Sequence, residues 1–268
     1  MLRLSRLTSV MLVVLAAHAA TAAEAINVQQ LKKAYAANNR HDVPIVLWTD
    51  GGGAPGVKFL LFANGELLVP NARAKSRLGT SGLSPERVRA IVAKLEAEDN
   101  FWALSPRHDD PNIILELPDN TISLRLPKKR PITVTVDAAL TSGSSSRRPP
   151  TAFVECMNLL KTFIPPETIP WDPGYVEIGW SDFSYARERP VAWPKEWPGL
   201  TGPLARKVKG LVIQWIVVFP SSRVGELDTL FARHWKLQTM PILVDGRKLS
   251  GSYRWPLPSE KAWSTWDQ

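Results

Sequence analysis

Val57-Lys58-Phe59-Leu60-Leu61-Phe62 and Glu66-Leu67-Leu68-Val69 stand on either side of Asn64-Gly65. Two apolar runs parted by Asn-Gly read as a β-hairpin with a type I′ turn, because that turn needs positive φ at both central residues and these two types tolerate it. Upstream, Ile45-Val46-Leu47-Trp48 follows Pro44 and is β-branched and apolar enough for a buried strand. A glycine-rich connection, Gly51 to Gly56, joins that strand to the hairpin.

Downstream lies the clearest helix, from Ser84 to about Asp99. Ser84 can accept from the first-turn amides, Pro85 occupies the first helical position where its missing N–H is harmless, and Glu86 suits the positive end of the dipole. Val88, Ile91, Val92 and Leu95 form its apolar stripe, and Phe101, Trp102 and Leu104 follow at its foot. Strand-like runs come next at Ile113–Leu117, Ile122–Leu126 and Ile132–Val136, and the alternation of the last two predicts a sheet with one wet face. The Ser-rich stretch at residues 141–150 reads as a loop before a helix from Thr151 to Phe163 that buries Phe153, Cys156, Met157 and Leu160. Near the amino end, Asn27 can cap a short helix with Val28, Leu31 and Tyr35 on one side.

After Phe163 the composition changes, with nine of the 11 tryptophans and 12 of the 23 prolines, which places a boundary there. The second half predicts a strand at Tyr175–Trp180, a buried strand at Leu211–Phe219, and a helix from Ser222 to Lys236 with Leu227, Leu230, Phe231 and His234 inward. A closing hairpin turns at Asp245-Gly246. The expected fold is α+β, antiparallel sheets with helices on one face, in two halves of similar size spanning residues 23–164 and 165–268. The halves share a rough order of elements but no residue-level repeat.

Arg3 and Arg6 precede an apolar run from Val10 to Ala17, and Ala20-Thr21-Ala22 supplies small residues at the cleavage spacing. Residues 1–22 therefore read as a secretory signal peptide, too short to span a bilayer. The mature chain is expected to be soluble and exported, periplasmic or secreted. Removing the two arginines lowers the formal charge from +8 to +6. Lys128-Lys129-Arg130, Arg147-Arg148 and Arg206-Lys207-Lys209 are scattered and do not form the continuous basic face that nucleic acid demands. Their remaining use is weak attraction to acidic surfaces.

One cysteine and four histidines exclude a disulfide framework, a cysteine-rich zinc site and an iron–sulfur cluster. Cys156 falls on a core stripe and reads as a structural thiol. Gly51, Gly53 and Gly56 spell G-x-G-x-x-G, but a strand-like run follows where a dinucleotide site needs a helix, so neither nucleotide nor any other cofactor is expected. No H-E-x-x-H or G-x-S-x-G motif is present. His108-Asp109-Asp110 sets an imidazole beside two carboxylates, which suits a general base or a metal but also an ordinary polar loop. Trp193-Pro194 and Trp197-Pro198 offer rings that could stack on a ligand or seal a small core.

Trp48-Thr49-Asp50-Gly51-Gly52-Gly53-Ala54-Pro55-Gly56, the Asn64-Gly65 hairpin, and Leu83-Ser84-Pro85 opening a helix that ends at Phe101-Trp102-Ala103-Leu104 form a recognisable order. Over residues 43–164 it resembles small bacterial domains similar to emfourin, an inhibitor of thermolysin-like metalloproteases. The resemblance implies a non-enzymatic protein whose glycine loop and preceding residue, Asp50, contact an exported, protease-like protein. The tryptophan-rich second half and the signal peptide depart from that pattern. Two functions stay open: an exported binding or inhibitor-like protein using Asp50, Gly51, Gly52, Gly53 and Gly56, with Trp193 and Trp197 as the rival surface, or an exported hydrolase built around His108 with Asp109 or Asp110. The absence of a linear catalytic signature favours the first.

Overall fold

The computed structural model describes residues 26–38, 42–50, 56–109, 119–137, 148–209, 212–237 and 241–260. Among the described residues, two mostly antiparallel sheets and five helices give an α+β fold, as expected. The first sheet holds β1 (Val46–Asp50), β2 (Val57–Leu61), β3 (Glu66–Pro70), β4 (Leu78–Gly82), β5 (Arg107–His108), β6 (Asn120–Leu124), β7 (Ile132–Val136) and β8 (Ile169–Pro170). Its spatial order is β5-β7-β6-β1-β2-β3-β4-β8, and only β5 and β7 run parallel.

Three helices follow from local chemistry and cover one face of this sheet: α2 (Pro85–Glu96), α3 (Asp99–Trp102) and α4 (Thr151–Thr162). Ser84 caps α2 by accepting from the Arg87 amide, with Pro85 in the first turn. Val88, Ile91 and Leu95 of α2, Phe101 of α3, and Phe153, Cys156 and Leu160 of α4 meet Phe59, Leu61, Leu67, Val69, Ile122 and Val134 from the strands. Phe101 stacks on Phe153 at 6.4 Å, and the Trp102 indole N–H donates to the Leu95 carbonyl at 3.0 Å, which fastens α3 to the end of α2. Burial pushes the Cys156 thiol up to about 12, with Glu98 adding to the effect, so it is a packing group and not a nucleophile.

The opposite face is of two kinds. Thr121 and Thr135, and Ser123 and Thr133, pair their hydroxyls across β6 and β7 at 3.2 and 2.9 Å. That is the polar side the alternating sequence predicts. Under β2–β4, however, Leu60, Leu68 and Leu78 pack with Leu257 from the far end of the chain and with Trp171. Both faces are apolar there, which is why the sequence of β2 and β3 runs continuously apolar.

The Asn64-Gly65 hairpin exists, but its turn is not type I′. Only Gly65 takes positive φ, at +88°, the Gly65 amide donates to the Phe62 carbonyl, and Phe62 in turn donates to Glu66. This is a type I turn on Ala63-Asn64 followed by a left-handed glycine bulge. Asn64 instead accepts the Glu66 amide on its side chain at 2.9 Å, a local bond that competes with the left-handed conformation. The second hairpin is the one with the type I′ geometry, φ being +46° at Asp245 and +78° at Gly246.

The second sheet holds β9 (Tyr175–Asp182), β10 (Val191–Ala192), β11 (Ala205–Lys207), β12 (Trp215–Pro220), β13 (Ile242–Val244) and β14 (Arg247–Arg254), in the order β10-β13-β14-β9-β12-β11. α5 (Val224–Leu237), entered through a 3₁₀ turn at Ser221–Arg223, buries Leu227 and Phe231 on one face, with Leu230 partly buried. The His234 side chain lies outside the described residues. β12 begins four residues later than the apolar run suggests. Val212 and Ile213 precede it outside any strand and are exposed.

Helices occupy both faces of this sheet, which corrects the one-face expectation. α1 (Val28–Asn38), capped by the Asn27 side chain accepting from Gln30, lies opposite α5. Its Leu31, Val28, Ala34 and Tyr35 pack on Tyr175, Leu204 and Val218. Period reveals that a helix has an apolar stripe but not which sheet will cover it, so sequence grouped α1 with the first half while it docks on the second. The strand expected at Ile113–Leu117 and most of the Ser-rich loop lie outside the described residues.

Candidate functional site

One end of the first sheet gathers Asp50, Gly56, His108 and Asp109 among the residues singled out by sequence. Asp50 ends β1 opposite Asn120 at the start of β6, Asn120 faces Val136 at the end of β7, and Val136 faces His108 at the end of β5. The residues flanking 51–55 and 110–118, and Asp137 before residue 138, therefore meet at this end. Gly51, Gly52, Gly53 and Asp110 themselves lie outside the described residues.

The neck of the glycine connection is closed tightly. The Asp50 amide donates to the Gly56 carbonyl at 2.7 Å, and Lys58 pairs with the Asp50 carboxylate at 2.6 Å. A Cβ at Gly56 would stand 1.8 Å from the Asp50 carbonyl oxygen, a separation no side chain can occupy, so glycine is required there by close backbone approach. The pairing of β1 with β2 shifts register between Trp48 and Thr49, opposite Phe59 and Val57 respectively. That bulge leaves Lys58 as the extra residue beside Asp50.

His108 and Asp109 sit at the adjoining edge but do not form a dyad. Arg107 donates from Nε to Asp109 at 2.8 Å and from Nη1 to Asp119 at 3.2 Å. The Asp109 hydrogen bond, with the charges of Asp119 and Asp109, pushes the Arg107 guanidinium further above its ordinary range. Asp109 is thus paired with Arg107 and not with His108. The His108 ring nitrogen Nε2 is shielded from solvent and has no hydrogen-bond partner among the described residues, while the His108 carbonyl accepts the Asp137 amide at 3.0 Å. Among the described residues no group of three or more His, Cys, Asp or Glu could hold a metal.

Trp193 and Trp197 are in the second core and not on a binding surface. The Trp193 ring meets Trp180 at 5.0 Å and Trp197 at 4.7 Å, both edge to face, and Trp197 meets Phe219 at 4.8 Å. Trp193 donates its N–H to the Pro198 carbonyl at 3.1 Å, and the Arg223 guanidinium lies 5.6 Å from the Trp197 ring centre. Each of these residues is 7% exposed, too little for a sugar or peptide to stack on.

Sequence reasoning missed one constellation altogether. Arg254 on β14 donates to Glu177 on β9 at 2.7 Å and pairs with Glu260, while Arg206 lies 3.9 Å from the other Glu177 oxygen. Glu260 also accepts the Leu257 amide at 3.1 Å, and Asn38 at the end of α1 donates to the Leu257 carbonyl and to the Tyr175 hydroxyl. Trp171 donates to the Pro256 carbonyl at 3.3 Å. Residues 255–260 thereby form a strap, Trp255 in the second core and Leu257 against the first sheet. Glu177 and Arg254 are 77 residues apart, and no linear spacing signals their pairing. The chain matches no protein family, no curated protein and no solved structure.

Proposed function

We propose that the protein is an exported, non-enzymatic binding protein of the inhibitor-like kind, which grips an exported, protease-like protein through the Asp50–Gly56 end of its first sheet. The observation that carries this reading is the neck: Asp50 and Gly56 bonded backbone to backbone, with no room for a Cβ at Gly56 and with Asp50 pinned by Lys58. A short connection held this way sits on a rigid support, and a rigid support lowers the ordering cost of binding. Small glycine side chains leave the backbone open to close approach by a partner. The emfourin-like order of residues 43–164 supports the same end of the molecule. The pairing of Asp109 with Arg107 weighs against the rival hydrolase built on His108.

The test is capture of a partner from the exported fraction, followed by replacement of Gly52 and Gly53 with valine. Binding should weaken by about 1 kcal/mol or more, as for a residue near the centre of an interface. A folded double variant that binds its partner unchanged reduces the loop to a connection. The export half of the proposal has its own check. Mass spectrometry of the exported protein should find a chain beginning near residue 23, whereas an intact Met1 on a protein retained in the cytoplasm removes it.

A further inference from the structure

Six large apolar side chains are exposed among the described residues, and four of them, Tyr185, Val212, Ile213 and Leu243, lie toward one end of the second sheet. The topology puts them there. β9 ends at Asp182, and the Phe183 amide that follows bonds the Lys248 carbonyl, which places the turn bearing Tyr185 beside β14. Leu243 pairs with Lys248, two residues before the Asp245-Gly246 turn. The Gln214 amide donates to the Trp180 carbonyl and the Val208 amide to the Gln214 carbonyl, so Val212 and Ile213, just before Gln214, lie toward the same end. Val212 is 70% exposed and Tyr185 76%.

Basic groups accompany them. Lys207 and Lys209 are exposed at the base of the β11–β12 connection, and the Arg247 guanidinium stands 5.3 Å from the half-buried Trp215 ring. The acidic residues of this end, Asp182 and Asp245, accept hydrogen bonds from Ser184 and from the Leu200 amide respectively. Single exposed apolar residues are ordinary on any protein, but their concentration at one end is not.

We propose that this end of the second sheet is a peripheral docking surface for an anionic phospholipid bilayer. Lipid fits better than a protein partner for two reasons. The apolar side chains come from three separate segments, the turn after β9, the residues just before β12, and β13, and a deformable interface accepts separated protrusions, where a rigid protein interface needs one contiguous packed core. Lysines, moreover, are depleted at the centre of protein interfaces but add affinity for acidic headgroups, at a cost to neither their solvation nor their reach. Residues 23–268, whose formal charge is +6 once Arg3 and Arg6 are removed from the +8 of the whole sequence, are attracted to the same surface at longer range. Among the described residues no helix is long and apolar enough to cross a membrane, so contact of this kind would be superficial. The inference does not rest on the protein-binding reading, which uses the other sheet.

Residues 23–268, which contain every described element and omit the apolar amino-terminal run, are sedimented with vesicles of phosphatidylglycerol and phosphatidylcholine and, separately, of phosphatidylcholine alone. Binding should require the anionic lipid and should fall as salt shortens the screening length from about 30 Å to about 8 Å. Lys207→Gln with Lys209→Gln should weaken it about fivefold per lysine, the factor expected for removal of one surface cation. Tyr185→Ser with Val212→Ser should weaken it further at fixed charge, and both pairs are exposed enough to leave the fold intact. Failure of the folded protein to bind anionic vesicles at low salt overturns the proposal. So does equal binding to neutral vesicles, or undiminished binding by both double variants.

Discussion

Replacing Trp193 with alanine is expected to lower stability by about 3–5 kcal/mol, the range for emptying a large aromatic site in a packed core. Its indole touches Trp180, Trp197 and Phe219 and donates to the Pro198 carbonyl, so the variant loses dispersion contacts and leaves that part-buried carbonyl without its donor. Melting should shift down by on the order of 10 °C for a chain of this size. The same variant separates two readings of the Trp-Pro segment. A ring that served a ligand would cost binding and leave the melting temperature unchanged, whereas a core ring costs stability first.

Arg254→Met is expected to have a comparable effect for an electrostatic reason. The Glu177 side chain is only 4% exposed and that of Glu260 only 8%, so removing the guanidinium between them leaves buried Glu260 without its cation and Glu177 with only Arg206 at 3.9 Å, at about 3–5 kcal/mol. Glu260 gives the loss a pH dependence. Burial pushes the Glu260 carboxyl above its ordinary value, against the pull of Arg254, and burial would depress Arg254 were it not outweighed by the Glu260 and Glu177 charges. A carboxyl raised on folding contributes stability that is fully present below its unfolded pKa and is lost as pH rises through the raised value. In the variant that behaviour should strengthen, since the counter-ion is gone. The deficit should therefore be largest near neutral pH and shrink as pH falls through the raised Glu260 value, where that carboxyl is protonated. Thermal melts of both proteins across that range decide it, and a deficit constant with pH would show that Arg254 acts through packing alone.

Local chemistry made much of the fold legible. Ser84-Pro85 announces α2 because capping and a proline in the first turn are decided within a few residues. Asn27 does the same for α1, and the alternation of β6 and β7 reports a sheet with one polar face because strand side chains alternate by geometry. Asn64-Gly65 marks a turn correctly, but its type was misjudged. Which residue takes positive φ depends on the Asx bond that Asn64 makes with Glu66, a competition the dipeptide alone does not resolve.

The site was legible only in part. Sequence could name the glycine connection, since its composition is local, yet the 1.8 Å approach that makes Gly56 indispensable comes from Asp50 folded back upon it. His108 and Asp109 look like a dyad on paper because neighbours in sequence suggest neighbours in space. Arg107 takes Asp109 because alternate side chains on an extended edge point to the same side.

What the sequence by itself determined is the kind of element at most places among the described residues, set by interactions within about a dozen residues. The tertiary structure alone decided that α1 covers the second sheet, that Trp193 and Trp197 are core, and that Glu177, Arg254 and Glu260 join across the closing strap. Those outcomes depend on which apolar faces find each other over long separations. Burial is non-directional, and many pairings bury similar area, so a linear pattern cannot choose among them before the chain has closed.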